Sequence, residues 1–182
     1  LIGGGYWGTI LKNTIDKLSF CEIVAVHDLE EPKFDIPYYN HLLDFLYYAR
    51  KSDMQAVLIA TPPSTHFSLA KECLDHNFHI FVEKPLTQNK THALELCKAS
   101  AEKRKIIFCD STFVFAPETR FIKDALELQR FGSPVLVRSA RTNYGPFSKD
   151  GTDVIFDLLI HDITLIKELF GEIKYVSATA SA

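Results

Sequence analysis

The sequence predicts an α/β fold in which helices cover both faces of a doubly wound parallel sheet. Three observations predict it. Short apolar runs alternate with longer segments of helical period, a glycine cluster follows the first apolar run, and the 182 residues are 47% hydrophobic and 24% charged. Repeated β-α-β units of this kind predict parallel strands. The composition is that of a globular chain and excludes disorder and collagen-like repeats.

The predicted strands are short and apolar throughout, as buried parallel strands are. They cover residues 1–2, 23–26, 56–60, 78–82 and 106–108. Helical spacing is found at residues 7–18, 64–76 and 91–103. The aromatic segment 38–48 also has helical spacing, which predicts that it packs against the sheet; nothing in its pattern supports a role in adenine binding.

The alternation of strand and helix changes from about Phe113. The pattern there predicts a helix, a turn, a strand, a glycine-bearing loop, an apolar helix ended by Gly171, and a last strand. These cover residues 118–129, 131–134, 135–141, 143–151, 153–170 and 173–180. We therefore expect a first domain over residues 1–115. Residues 116–182 are expected to be the N-terminal part of a second, α+β domain, cut off before its end.

The charge balance gives no sign of a polyanionic partner. There are 20 basic and 23 acidic residues, for a formal net charge of −3, which argues against binding nucleic acid or an anionic membrane surface. No charge-free apolar run is long enough to cross a bilayer. The four cysteines form no CxxC pair and no zinc pattern, so we expect reduced core thiols, no metal site and a cytoplasmic protein.

The glycine cluster has the pattern GxGxxG, with Gly3, Gly5 and Gly8 at the glycine positions. It stands between a strand and a helix, where backbone N–H groups and the helix dipole can meet a pyrophosphate. A glycine turn that serves only strand-helix packing is the alternative, and a flavin is not excluded by this motif. Asp28 follows Gly8 by 20 residues and can accept hydrogen bonds from ribose hydroxyls. Its charge would repel a 2′-phosphate and Leu29 supplies no guanidinium, so NAD is favoured over NADP.

Two further positions carry candidate chemistry. Lys84, before Pro85, stands at the carboxyl end of a predicted strand, where open α/β sheets bind ligands, and it could hold a substrate hydroxyl. The alternative is an exposed loop lysine. Asp157 and His161 are four apart in an apolar helix, so the carboxylate could orient the imidazole as a general base. The alternative is a histidine whose hydrogen bonds are satisfied in the core.

Together these motifs resemble the Gfo/Idh/MocA family of oxidoreductases, and their order and spacing agree over essentially the whole chain. The resemblance rests on Gly3 to Gly8, Asp28, Thr61-Pro62 with His66, Glu83-Lys84-Pro85, and Asp157 with His161. The Tyr6-Trp7 pair and the stretches 141–145 and 153–157 look most like the nucleotide-sugar branch, the UDP-N-acetylglucosaminuronate-like 3-dehydrogenases.

The resemblance implies that residues 1–115 are a dinucleotide-binding Rossmann domain and that residues 116–182 begin a domain for substrate binding and oligomerisation. It also implies a role for each matched residue. Lys84 and His161 would contact the reacting hydroxyl as catalytic residues, with Asp157 orienting or assisting, and Arg141 and Asn143 would line the substrate side. The cofactor would be NAD. Thr61, Pro62, His66 and Glu83 would lie along its nicotinamide half, and Tyr6 and Trp7 would cover the pyrophosphate turn. The implied partners are a sugar or nucleotide-sugar substrate and, in the complete protein, further copies of the chain in a dimer or tetramer.

The sequence also departs from the family pattern. Val114-Phe115-Ala116-Pro117 lacks the arginine that many relatives carry before this phenylalanine, which loosens the substrate assignment. Leu158 and Leu159 replace smaller residues between the aspartate and the histidine. Two alternatives to a dehydrogenase stay open: a glycosidase of the same fold that uses bound NAD transiently, and a non-enzymatic regulator that senses NAD or a sugar.

Overall fold

The computed structural model describes residues 1–142 and 152–179. The chain divides into two compact units, Leu1–Asp110 and Ser111–Ala182. Among the described residues, no helix has the length and apolar character that crossing a bilayer requires.

The first unit contains an all-parallel sheet, as predicted. Its strands are β1 (Val26–His27), β2 (Tyr38–Tyr39), β3 (Ala56–Ile59), β4 (His79–Val82) and β5 (Ile107–Cys109). β1 pairs with β2, β3 with β4 and β4 with β5. Ile2 joins the two groups through parallel bridges to His27 and Ile59. If the Ile2 segment is counted as the first strand, the spatial order is 3-2-1-4-5-6, the order of the Rossmann fold.

Four helices belong to the first unit: α1 (Tyr6–Ile15), α2 (Leu42–Lys51), α3 (Pro63–Asp75) and α4 (Lys90–Lys103). The start of α4 is fixed by Asn89, whose side chain accepts the backbone N–H groups of Thr91 and His92. The same helix ends at Arg104, which adopts the left-handed conformation. Helices α1, α3 and α4 agree with the predicted segments to within one residue, except that α1 ends three residues early.

The core of the first unit lies between this sheet and its helices. Ile59, Val82, Ala70 and Leu96 come from two strands and two helices and are fully buried in one cluster. Phe45, Leu46 and Ala49 of α2 join the same cluster, which agrees with the predicted packing of the aromatic segment. Burial of this apolar surface is the main contribution to the stability of the first unit, and it fixes the positions of the strand ends.

Two sequence predictions for this unit were wrong in detail. The segment 23–26 was expected to be a strand, but pairing begins only at Val26, because the partner strand β2 is two residues long. The segment 38–48 was expected to be helical from its start, but Tyr38 and Tyr39 form β2 and the helix begins at Leu42. Of the four free thiols only Cys73 is fully buried, and Cys21 and Cys97 are exposed.

All the regular secondary structure described in the second unit is helical. It contains a 3₁₀-helix (Thr112–Phe115), α5 (Pro117–Glu127), a π-helix (Ile155–Leu159) and α6 (Ile160–Phe170). Lys123 of α5 pairs with Glu168 of α6. The apolar helix ends at Gly171, as predicted, and this glycine has φ +84°.

The two strands predicted for the second unit were wrong within the described range. Residues 135–141 and 173–179 are extended or irregular without strand pairing, and Val135 is fully exposed. An alternating sequence becomes a strand only when a neighbouring strand accepts its backbone hydrogen bonds, and none is present among the described residues. That residues 116–182 begin a substrate and oligomerisation domain stays a prediction.

Candidate active site

The predicted cofactor residues of the first unit meet at the carboxyl ends of three adjacent strands. The Ile2 backbone lies between β1 and β3, with Ile2 N donating to Leu58 O at 2.7 Å and Ala60 N donating to Ile2 O at 2.8 Å. The strand order reverses between Ile2 and β3. Open α/β sheets bind ligands in the crevice at this switch point. The glycine loop, Asp28 and Thr61 are the residues that follow these three strands.

The glycine loop forms a tight cradle that side chains would fill. Gly3 has φ +94°, and a Cβ there would lie 2.6 Å from Ala60 O. A Cβ on Gly8 would lie 1.9 Å from Gly3 O, so α1 can approach the loop only with glycine at this position. A Cβ on Gly5, by contrast, would meet no atom within 4 Å. Gly3 and Gly8 therefore close the turn, and Gly5 leaves its outer surface open.

The amino terminus of α1 faces this open surface. No side chain caps the helix and its first turn contains no acidic residue, so its field favours an anion such as a pyrophosphate. Tyr6 and Trp7 lie in that first turn and are 77% and 52% exposed, with their rings in edge contact at 5.5 Å. Open backbone and an uncapped helix are compatible with a bound pyrophosphate. That Tyr6 and Trp7 cover it stays a prediction.

Asp28 directly follows β1 and links this strand to the glycine loop. Its Oδ2 accepts the Gly4 backbone N–H at 2.6 Å, and its Oδ1 accepts the Leu29 N–H at 2.6 Å. The carboxylate is thus held beside the cradle in a fixed orientation. Burial, and next the negative charges of Glu31, Asp28 and Glu30, raise the pKa of the Tyr38 hydroxyl. The charge around this corner is unfavourable for a 2′-phosphate.

His66 lies deeper than the sequence predicts. The side chain is fully buried, with Nδ1 2.7 Å from Pro85 O and Nε2 2.9 Å from Thr61 O. It therefore joins the turn after β3 to the turn after β4. We predicted that His66 lies along the cofactor, but a buried ring with both nitrogens on backbone carbonyls can support the site only by holding these two turns. Thr61 is fixed further by a hydroxyl contact with Thr65 at 2.7 Å.

Glu83 and Asp110 form a carboxylate pair at the ends of β4 and β5. They follow Val82 and Cys109, which are register partners in the parallel ladder. Burial, and next the charge of Asp110, raise the pKa of Glu83 to about 7, although the Lys84 backbone N–H donates to this carboxylate. Glu83 can therefore hold a proton near neutral pH. Asp110 was not predicted as a site residue, because the predicted strand ended at residue 108 and not at Cys109, the residue before Asp110.

The pair makes stability depend on pH. Because the pKa of Glu83 is higher in the folded chain than the usual 4.5, the folded state binds the extra proton, and stability is lost as pH rises from about 4.5 through about 7. We expect Glu83→Gln to remove this loss. From pH 5 to pH 8 the wild type should lose about 1–2 kcal/mol relative to the variant, since partial exposure reduces the full effect.

Urea unfolding at the two pH values measures this difference. Glu102→Gln is the control, because the Glu102 side chain is 66% exposed on α4 and far less desolvated. Equal pH dependence in wild type and Glu83→Gln would contradict the shifted pKa.

Lys84 stands between this pair and the His66 contact. It follows Glu83 at the end of β4, it is half-buried, and the buried Pro85 behind it is fixed by the contact with His66. The Lys84–Pro85 peptide bond is cis. The structure thus gives Lys84 a defined place at the carboxyl edge of the sheet, which is where the sequence predicts it. Its catalytic role stays a prediction.

Asp157 and His161 lie on one continuous helical stretch in the second unit. Asp153 caps the start of this stretch, its Oδ1 accepting the N–H groups of Ile155 and Phe156 at 2.9 and 3.1 Å. Asp157 lies in the π-helix and His161 in the first turn of α6. π-Turns within helices are frequent at functional sites, and both residues are within one turn of each other. The His161 ring makes an edge contact with Phe113 at 4.9 Å.

Arg141 is held by Asp162, which was not predicted as a site residue. Asp162 is 7% exposed and is the one buried carboxylate in the described parts of the chain. It receives Arg141 Nε at 2.7 Å, and this hydrogen bond holds the pKa of Asp162 below its usual range. The signal was its position beside His161 on an apolar helix.

Asn143, the other predicted substrate residue, lies outside the described residues. Residues 1–142 and 152–179 contain no cluster of three or more metal-ligating side chains.

These features define the first unit as a dinucleotide-binding Rossmann domain. The Gfo/Idh/MocA oxidoreductase family, described by its NAD-binding Rossmann fold, matches residues 1–111. The chain belongs to this family, and its cofactor is NAD. The match ends within one residue of the boundary between the two units.

Relatives of known name agree with this membership. The chain is similar to inositol 2-dehydrogenase of Mycolicibacterium gilvum, with 28% identity over 86% of this chain and 47% of the relative. It is 31% identical to UDP-N-acetylglucosamine 3-dehydrogenase of Acidithiobacillus ferrooxidans, over 66% of this chain and 37% of the relative. The crystal structure of GenD2 from gentamicin A biosynthesis, in complex with NAD, shares the fold: TM-score 0.79, 21% identity, 93% of this chain and 52% of that one. The chain spans about half the length of the curated relatives it matches.

Proposed function

We propose that the protein is an NAD-dependent dehydrogenase that oxidises a ring hydroxyl of a sugar, a nucleotide sugar or a related cyclic polyol. The observation that carries the proposal is the glycine cradle at the switch point, with Lys84 on the carboxyl edge of the same sheet. Bound NAD would supply the hydride acceptor for the carbon being oxidised, or the donor in the reverse direction. The residues of the chain would hold the cofactor and the substrate and would move the hydroxyl proton.

Lys84 and His161 are the two candidates for the residue that accepts this proton. Oxidation of an alcohol carbon breaks a C–H bond, whose electron pair leaves with the hydride, and an O–H bond, whose proton passes to a base. An ammonium at Lys84 would first hold the hydroxyl oxygen and lower its pKa. A neutral imidazole at His161, oriented by Asp157, could take the proton. Substrate contacts by Arg141 and Asn143 remain part of the proposal.

The substrate class is inferred from the named relatives. One is an inositol 2-dehydrogenase and another a UDP-N-acetylglucosamine 3-dehydrogenase, and both names describe oxidation of one hydroxyl in a polyhydroxylated ring. The resemblance noted in the sequence favours the nucleotide-sugar branch. The chain retains Lys84, Asp157 and His161, which argues against a regulator that has lost catalytic function.

A cofactor reduction assay tests the proposed function. The complete gene product is mixed with NAD or NADP and with a panel of inositols, free sugars and UDP-sugars, and NADH is followed by its absorbance. We expect NAD reduction with at least one ring polyol or UDP-sugar. Release of a free sugar without net NADH would indicate a glycosidase of the same fold, and no reaction with any member of the panel would contradict the proposal.

Asp28 should set the preference for NAD over NADP. In Asp28→Asn the charge that repels a 2′-phosphate is lost and the bonds to the ribose hydroxyls are weakened. We expect the ratio of kcat/KM for NAD to kcat/KM for NADP to fall about tenfold or more. Glu102→Gln removes an exposed carboxylate of α4, away from this corner, and is the control that should leave the ratio unchanged. A wild-type protein that prefers NADP would overturn the role of Asp28.

Assembly and location are also proposals. We propose a homo-oligomer, a dimer or tetramer, because relatives of this family associate through their second domain. The free thiols fit a reducing compartment, and we propose the cytoplasm.

A further inference from the structure

The second unit contains a compact polar cluster built around Asp162. The Asp162 carboxylate accepts Arg141 Nε on Oδ2 at 2.7 Å and Arg141 Nη2 on Oδ1 at 3.3 Å. The Ser139 hydroxyl donates to Oδ1 at 2.7 Å. Both carboxylate oxygens are thus engaged, and the pair has the side-on, two-pronged geometry that only a guanidinium can supply.

One phenylalanine ring connects this pair to the candidate base. The guanidinium carbon of Arg141 lies 4.9 Å from the centre of the Phe113 ring. The His161 ring meets the same Phe113 ring at 4.9 Å and an interplanar angle of 84°. Arg141 and His161 are therefore neighbours around Phe113. Asp162, next to His161 in the chain, balances the positive charge of Arg141.

Among the described residues, Asp162 is the one hydrogen-bond acceptor of the Arg141 side chain, and it engages a single edge of the guanidinium. Asp162 takes the edge formed by Nε and Nη2, so this carboxylate does not use the edge formed by the two terminal nitrogens. The Arg141 side chain is 27% exposed, whereas Asp162 is 8% exposed. A ligand can thus reach N–H donors of an arginine whose charge is already neutralised by a buried partner.

We propose that Asp162 is a specificity-determining residue that makes Arg141 a donor for a neutral hydroxyl instead of a carboxylate. This inference rests on the proposed function and names the substrate class at this position. A hydroxyl oxygen accepts an N–H from the paired guanidinium without electrostatic penalty. A carboxylate at the same place would be attracted by Arg141 and repelled by Asp162 across a few ångströms of partly desolvated space, so its usual charge-assisted advantage is lost.

Substrate pairs that differ only at ring substituent C6 test the proposal. C6 is a hydroxymethyl group in one member, here called the neutral member, and a carboxylate in the other, the acidic member. Binding to the complete protein with NAD is measured by calorimetry for UDP-N-acetylglucosamine against UDP-N-acetylglucosaminuronate, and for glucose against glucuronate. The wild type should bind the neutral member of at least one pair more tightly. Asp162→Asn should shift the ratio of affinities towards the acidic member by about tenfold, the difference between a neutral and a charge-assisted hydrogen bond.

Three variants make the result specific. Asp162→Ser removes the same charge and replaces Asp162→Asn if that variant does not fold. The double variant Arg141→Gln with Asp162→Asn should lose the gain for the acidic member, because the unpaired cation causes it. Glu172→Gln removes an 84%-exposed carboxylate of the same unit and should leave the ratio unchanged.

Three results would contradict the proposed role of Asp162. A wild type that prefers the acidic member, a ratio unchanged in Asp162→Asn, or a wild type that binds neither neutral probe would overturn the proposal. NAD reduction with some other substrate would still support the proposed function in each of these cases, so the two failures are distinguishable.

Discussion

Replacing Lys84 by alanine should lower kcat of the complete protein about 10³-fold or more and leave its affinity for NAD nearly unchanged. A positioned group that binds the hydroxyl and moves its proton contributes typically 10²–10⁴-fold to a rate, and loss of the charge that stabilises the developing alkoxide adds to this. NAD affinity depends instead on the glycine cradle and on Asp28, and the Lys84 side chain belongs to neither of them. Steady-state kinetics and calorimetry with NAD measure the two quantities separately.

The structure offers controls for this substitution. Lys98→Ala removes a lysine that is 79% exposed on α4 and should leave kcat unchanged. Lys84→Arg keeps the positive charge but not the compact ammonium, so it should recover only part of the activity. Wild-type turnover by Lys84→Ala would mean that Lys84 has no catalytic role, and a parallel loss of NAD affinity would mean that its effect is on the cofactor site.

Gly8→Ala should destabilise the first unit by about 3 kcal/mol or more and abolish NAD binding. The new Cβ would lie 1.9 Å from Gly3 O, and neither backbone can move without separating α1 from the strand that contains Ile2. The loss exceeds the gain of about 1 kcal/mol that alanine normally brings to a helix interior. Thermal unfolding and NAD titration of the variant measure both effects.

Gly5→Ala is the matched variant in the same loop. Its Cβ would meet no atom within 4 Å, so we expect a cost of about 1 kcal/mol or less, mainly from the change at the helix cap. The methyl group would instead occupy the outer surface of the cradle and should weaken NAD binding about tenfold or more. Equal stability of Gly8→Ala and wild type would contradict the described approach of α1 to the loop.

The parts of the fold that sequence predicted correctly depend on local signals. The glycine pattern, the helix before Gly171 and the apolar runs of β3 and β4 are each determined within a few residues of chain. The strand β2 was missed because Tyr38 and Tyr39 form a strand only by pairing with Val26 and His27. A two-residue strand leaves no periodicity of its own. The predictions of strands at 135–141 and 173–180 failed for the opposite reason. The alternating pattern is present, but the described residues contain no strand that pairs with it.

The candidate site shows the same division. Gly3, Gly8, Asp28 and Lys84 could be placed because each follows a strand, and parallel strands bring their carboxyl ends to one edge. The roles of His66 and Asp162 depend on contacts 19 and 21 residues away in sequence, with Pro85 and Arg141. Burial and hydrogen-bond partners of this kind have no local signature. The sequence therefore predicted which residues follow the strands and face the site. It did not predict which residues hold them in place through hydrogen bonds.

Transfer of a ring-carbon hydride to NAD is the central claim, and isotope labelling tests it most directly. The sugar or polyol that gives the fastest NAD reduction is prepared with deuterium on its ring carbons and mixed with the complete protein and NAD for a single turnover. Mass spectrometry of the cofactor then measures deuterium in NADH. We predict one deuterium per NADH formed by the wild type, and NADH formation about 10³-fold slower in Lys84→Ala. Oxidised product without deuterium in the cofactor, or free sugar released with no NADH, would contradict the assignment as an NAD-dependent dehydrogenase.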